Sequence, residues 1–337
     1  MIKKLRTYAD IGRTQGITTT ASIAIVGALT STAQVEWYHI IYFTIIAVFA
    51  HMALNTYIAL GDIELDVHTY VPSRNPVSSG ILSKTDALHF VYWSTCVCAA
   101  LILILPLYYQ NISSLLALFC FLSSYIWLFW YGWKGKKFVV SYDFSFSVSY
   151  VSFVLFGVFV VGGIPTTYTW VFIGIVIFAA TAFAQWENGL KDVNADRIAG
   201  VRSFAILTNL DNNEKLHVTH PYFLYGCILK AGFILCCFIT YLYYNNIFFL
   251  IFLFLYGIPS QIFIMYRFLT KKHPIEHRKT ILFDVLLAAI LGYSVIIGKT
   301  GVLIIVFLII YLVGGYLIGS TFQSNCEFKF SRFSSSK

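Results

Sequence analysis

Two stretches of this sequence carry carboxylates at a spacing that suits chemistry: "GDIELDVHTYVPSRNPVSSG", residues 61–80, and "ENGLKDVNADRIAGVRSFAI", residues 187–206. Asp62 and Asp66 stand four residues apart, and so do Asp192 and Asp196. On a helix that spacing leaves about 40° between side chains, so each pair shares one face one turn apart. Two such carboxylates repel each other unless a cation sits between them. Hard oxygen ligands suit Mg²⁺, which takes one or two carboxylates and fills its remaining positions with water and phosphate oxygens. Two pairs facing one another could hold ions around a diphosphate, with Arg74, Lys137, Lys191, Arg197 and Arg202 close enough in sequence to neutralise the rest of its charge. For either pair alone, a solvated helix end with intrahelical ion pairs, such as Lys191 with its neighbouring acids, is an equal account. Two pairs at one spacing argue for the shared site.

The elements that must position these residues are membrane helices. The chain has 337 residues, of which 58% are hydrophobic and 11% charged, and its mean hydropathy is +0.76. Soluble domains carry about 25% charged residues. Apolar segments recur at about 15–35, 38–61, 87–108, 112–133, 143–162, 167–187, 220–243, 246–268, 280–297 and 301–320, most near the roughly 20 residues a bilayer-crossing helix needs. The expectation is an all-α polytopic bundle of nine to ten transmembrane helices around a central cavity, in a single domain, 1–337, ending in a short polar tail, 321–337. The basic lead-in before Gly16 reads as an interfacial start to a retained first helix rather than a cleaved leader. Six of the seven cysteines fall in apolar segments and no C-x-x-C pair occurs, so neither a disulfide framework nor a zinc site is indicated.

Charge sets the expected orientation. With ten crossings, the loops on the side of the N-terminus hold Arg74 and Lys84, then Lys134, Lys136 and Lys137, then Lys191, Arg197, Arg202 and Lys215, then Arg267, Lys271, Lys272, Arg278 and Lys279; the opposite loops hold Lys299 alone. Lysine and arginine accumulate on the cytoplasmic side. The N-terminus, both acid pairs and the cavity mouth are therefore expected there. Asp143 joins them, and Glu36 is the one acid on the far side. A transporter would place charges near the midplane or break its helices there, and this chain gathers its acids at one face instead.

These residues resemble a known family. "GDIELDVHTYVPSRNPVSSG" is similar to the first aspartate motif of the UbiA superfamily of intramembrane prenyltransferases, with Asp62 and Asp66 as its acids, Arg74 as the loop arginine and "SSG" as its end. "ENGLKDVNADRIAGVRSFAI" resembles the second motif through Asn188, Lys191, Asp192, Asp196, Arg197, Gly200 and Arg202. "YGWKGKKFVVSYDFSFS" resembles the loop after the fourth helix, through Tyr131, Lys137 and Asp143. The first motif extends over 55–80 and the second over 187–203. Members usually carry an asparagine one turn before the first acid. Here Ile58 and Ala59 stand in that region and Asn55 lies slightly further back. Asn75 separates Arg74 from Pro76, where members have arginine followed directly by proline.

The resemblance implies Mg²⁺-dependent transfer of an isoprenyl group from its diphosphate to a lipophilic acceptor, such as a quinone precursor, a carotenoid or another lipid. It assigns metal binding to Asp62, Asp66, Asp192 and Asp196. Diphosphate binding falls to Asn55, Arg74, Tyr131, Asn188, Lys191, Arg197 and Arg202, and Lys137 and Asp143 join the catalytic set. Asp143 has an equal alternative as an N-terminal acid that complements a helix dipole. The implied partners are an isoprenyl diphosphate, a hydrophobic acceptor and the bilayer, with no nucleic acid. Cyclisation of a prenyl chain on the same site, or a non-catalytic lipid-binding role, are the alternatives. Lys230 and Asp284 read as groups near the cytoplasmic ends of their spans that reach the interface, and Glu187, just before Asn188 at the mouth, reads as a residue that orients ligands or, more simply, as a solvent-exposed one. His51 reads as a helix-packing residue at least as readily as a functional one, and Pro106 as a helix stop.

Overall fold

The computed structural model describes residues 2–66, 75–133, 139–198, 200, 204, 208–210, 216–270 and 274–322. The basic lead-in is itself a helix, α1 (Ile2–Ile11), followed by a 3₁₀ turn, Thr14–Gly16, and α2 (Ile17–Thr30). Then come α3 (Trp37–Gly61), the one-turn α4 (Ile63–Asp66), α5 (Lys84–Tyr109), α6 (Ile112–Trp133) and α7 (Val139–Val160). Helix α8 (Thr167–Thr181) runs through a π-helical turn, Ala182–Glu187, into α9 (Asn188–Ile198). A two-residue antiparallel ladder, Asn209–Leu210 with Leu216–His217, interrupts the all-helical plan in the loop that follows. The C-terminal third holds α10 (His220–Tyr244), α11 (Ile247–Phe252), a second π-turn (Leu253–Gly257), α12 (Ile258–Thr270), α13 (Pro274–Ser294), the short α14 (Ile297–Thr300) and α15 (Val302–Thr321).

Each expected apolar segment coincides with a helix, and Pro106 lies within α5 rather than ending it. Among the described residues, seven helical runs are long and apolar enough to cross a membrane: α3, α5, α6, the run Thr167–Leu190, α10, the run Ile247–Thr270 and α15. The chain is a multi-pass membrane protein.

Its ends alternate between the two faces of the bundle. At one end the N–H of Thr32, after α2, donates to the carbonyl of Ile164, after α7, and Lys299, after α13, donates to the carbonyl of Ser31. At the other end the close of α3 meets the close of α6, and α4 packs against α9. Thr14, just ahead of α2, donates to the carbonyl of Gly319 near the end of α15 (2.8 Å).

In an apolar medium, helices associate through close backbone approach and side-chain hydrogen bonds. Both occur around α7. A side chain on Gly27 would strike the backbone of Val154, and one on Gly157 the backbone of Ala24, so glycine lets α2 and α7 touch. Between α6 and α7, Ser124 bonds Ser149 (2.9 Å) and Ser123 bonds Ser152 (3.1 Å). His51 joins α3 to the start of the chain, with Nδ1 on Thr20 Oγ1 (2.8 Å) and Nε2 on the carbonyl of Arg13 (3.0 Å). It is a packing residue.

Candidate active site

The first acid pair sits where α3 stops. Asp62 caps α3 and is buried, and the N–H of Asp66 donates to the carbonyl of Asp62 (2.8 Å), so the two carboxylates occupy one helical turn. Gly61 sets the height of that turn: a side chain there would run into the carbonyl of Gly132, at the end of α6. This approach brings Tyr131 beside the motif. Tyr131 is buried against Ile58 and Phe146. The substituted positions are thus apolar contacts: Ile58 packs on Tyr131, and Ala59 joins Ile11, Val77, Leu82 and Ala87. Asn55 turns its amide to the carbonyl of His51 in its own helix (2.9 Å).

Asn75, the other departure, organises this half of the site. It is only 5% exposed, and its amide donates to Asp66 Oδ2 (2.6 Å) and to the carbonyl of Ala59 (2.8 Å). Its own Oδ1 accepts from the N–H of Val77 (3.0 Å). One side chain therefore fastens the returning loop to the end of α3 and holds the Asp66 carboxylate. Sequence reasoning noted the residue without this role. The signal was an Asn–Pro step, whose asparagine favours a local side-chain turn.

The second pair lies on α9, where Asp192 and Asp196 are again one turn apart. Asp196 is buried, and Arg197 donates to the carbonyl of Thr208 across the following loop. The π-turn just before α9 would leave backbone carbonyls short of partners. Side chains supply them: Asn188 Nδ2 donates to the carbonyl of Phe183 (2.9 Å), and the Tyr222 hydroxyl to that of Trp186 (2.6 Å). Interruptions of this kind recur at functional sites.

Because α4 packs against α9, elements carrying the two acid pairs meet although their sequences lie far apart. Arg74, Lys137 and Arg202 lie outside the described residues, as do the side chains of Asp143, Lys191 and Asp192. Among the described residues, no three His, Cys, Asp or Glu side chains gather closely enough to hold a metal ion. The donor chemistry still fits a hard divalent cation: Asp62, Asp66 and Asp196 offer carboxylate oxygens, and each stands at a helix end rather than in the apolar interior. Beside them runs a chain of rings, with Phe146 against Tyr131 (5.5 Å), Tyr150 (4.7 Å) and Phe183 (6.3 Å between centroids). An apolar cleft of about 570 Å³ between α1, α2, α3 and α15 takes in none of the expected site residues.

Three charged groups depart from expectation. Glu187, Lys230 and Asp284 do not reach solvent; they are buried together, with Lys230 Nζ donating to Glu187 Oε1 (2.9 Å) and to Asp284 Oδ2 (2.5 Å). The signal was present in the sequence. Lys230 is the lone charge between Lys215 and Arg267, and Asp284 the lone one between Lys279 and Lys299. A charge so isolated within an apolar helix needs a partner there.

A multi-pass helical bundle with paired aspartates at one end defines a class of membrane protein. The model of the UbiA prenyltransferase family matches residues 17–290, and the chain belongs to that family. A UbiA homolog from Archaeoglobus fulgidus, bound to GPP and Mg²⁺, is similar in structure with a TM-score of 0.62 at 16% identity, over 86% of this chain and 99% of that one. An apo UbiA homolog from Aeropyrum pernix K1 gives 0.65 at 15% identity, over 85% and 98%. A digeranylgeranylglyceryl phosphate synthase gives 0.60 at 19% identity, over 94% and 99%. At these identities the likeness is one of fold. No curated protein matches the sequence significantly.

Proposed function

We propose that this protein transfers an isoprenyl group from its diphosphate to a lipophilic acceptor within the membrane. Family membership supports the reaction class, and the observation that carries it to these residues is the packing of α4 on α9. Structures of the Archaeoglobus fulgidus homolog hold GPP or DMAPP together with Mg²⁺, which favours the same substrate class here.

In this reading Asp62, Asp66, Asp192 and Asp196 hold Mg²⁺, and Asn55, Arg74, Tyr131, Asn188, Lys191, Arg197 and Arg202 hold the diphosphate. When bound, the metal supplies positive charge where the leaving diphosphate gathers negative charge. Asn75 keeps Asp66 oriented for this task through its hydrogen bond. Tyr131, Phe146, Tyr150 and Phe183 offer π-faces that exclude water and stabilise an allylic cation. Lys137 and Asp143 stay in the catalytic set: Lys137 adds positive charge beside the diphosphate, and Asp143 either binds a cation or takes part in acceptor activation. The acceptor class, whether quinone precursor, carotenoid or another lipid, follows from whichever product forms.

The site faces the cytoplasm in this reading, with nine to ten crossings around a central cavity. The lysine and arginine bias of the loops supports that orientation. The alternation of helix ends, with Thr14 bonded to Gly319, supports an even number of crossings. Membranes containing the protein, incubated with labelled prenyl diphosphates of several lengths and candidate acceptors, should form prenylated product with Mg²⁺ and none with EDTA. A cyclised product formed from the donor alone would identify a cyclase, and no turnover with any donor would overturn the reading.

A further inference from the structure

The buried group Glu187–Lys230–Asp284 belongs to no part of the mechanism above, yet it ties three separate elements together. Glu187 ends the π-turn and directly precedes α9; Lys230 lies mid-way along α10; Asp284 lies mid-way along α13. Their exposures are 0%, 6% and 4%, and the apolar cluster of Trp186, Leu190, Leu229 and Ile281 lies alongside. Helix α13 also packs directly on α9, and α10 on the π-turn.

Burying three ionisable groups is costly, and apolar replacements often stabilise a protein as well or better. What an ammonium held between two carboxylates supplies is register: it accepts one geometry and rejects a shifted one. A one-residue slip of the π-turn would rotate Glu187 away by about 100° and carry α9 with it. We propose that Glu187, Lys230 and Asp284 form a positioning clamp that sets the register of α9, and thereby the distance of Asp192 and Asp196 from Asp62 and Asp66. The metal consequence rests on the prenyltransferase reading; the clamp itself does not.

The test uses the full chain in lipid nanodiscs, comparing the wild type with Lys230→Met, Lys230→Arg and the charge-free triple variant Glu187→Gln/Lys230→Met/Asp284→Asn. Hydrogen exchange should rise about tenfold or more in Lys230→Met for peptides covering 188–198 while those of α5 and α6 keep their protection, a local opening. The Mg²⁺ concentration for half-saturated pyrophosphate binding should rise about tenfold or more, as loss of groups supporting metal ligands commonly produces. The triple variant should recover thermal stability but not Mg²⁺ affinity, and Lys230→Arg should recover part of both. Exchange that stays unchanged, or rises evenly along the chain, overturns the clamp, as does unchanged Mg²⁺ affinity in Lys230→Met when the wild type binds the ion. A wild type that binds no Mg²⁺ and pyrophosphate sinks the prenyltransferase reading, and the exchange measurement then decides the clamp alone. If Lys230→Met fails to fold, Glu187→Gln carries the same comparison.

Discussion

The two halves of the candidate site present the same pair of carboxylates and hold them in opposite ways. The first pair is fastened locally: Asn75, nine residues after Asp66, bonds its carboxylate, and Gly61 lets the end of α3 press against α6. The second pair rides on a helix whose approach is pinned from a distance, by a lysine 43 residues on from Glu187 and bonded to an aspartate 54 residues further. The difference teaches that identical spacing does not mean identical support. A turn that ends a helix can be finished by a neighbouring loop. A long helix broken by a π-turn has lost register and must recover it from its neighbours.

This contrast can be broken at four points. Removing the shared chemistry should matter most: Asp62→Asn and Asp192→Asn should each abolish turnover, a loss of at least about 10²–10³-fold, measured on labelled prenyl diphosphate. Normal turnover in both would remove the carboxylates from the mechanism. Next, Lys230→Ala leaves two carboxylates buried without their cation and should cost about 3–5 kcal/mol, read as reduced thermal stability in detergent. A milder loss follows for Asn75→Ala, which takes a donor from Asp66 and from the carbonyl of Ala59, about 1–3 kcal/mol. Its effect should fall on Mg²⁺ dependence at the first motif while hydrogen exchange in α9 stays as in the wild type. An Asn75→Ala protein with loosened α9 would show that the two supports are coupled. Gly61→Ala should cost a similar amount: the added methyl meets the backbone carbonyl of Gly132 and forces α3 and α6 apart, at about 1–3 kcal/mol, and its mark should be a raised KM for the prenyl diphosphate together with lowered thermal stability.

Much of the architecture was legible in the chain. Apolar runs of membrane-spanning length predicted the helices because the bilayer demands internally satisfied backbones. The acid spacing placed each pair on one helical turn, since helical geometry is local. What stayed hidden were partnerships between distant residues. Glu187, Lys230 and Asp284 read singly as solvent-reaching groups: the isolation of Lys230 and Asp284 in apolar stretches says that each needs a partner, but not which residue on which other helix supplies it. Asn75 read as a deviation because its partner, the carboxylate of Asp66, lies across a loop.

By itself, then, the sequence determined a helical membrane chain, its alternating segments and the two carboxylate pairs, all of which follow from hydropathy and the helical repeat. Only the tertiary structure decided that α4 meets α9 and that one buried lysine gathers two acids from separate elements. Which helices touch, and in what register, depends on where small residues permit close approach and where buried charges find partners. Those are properties of pairs of surfaces rather than of any one segment.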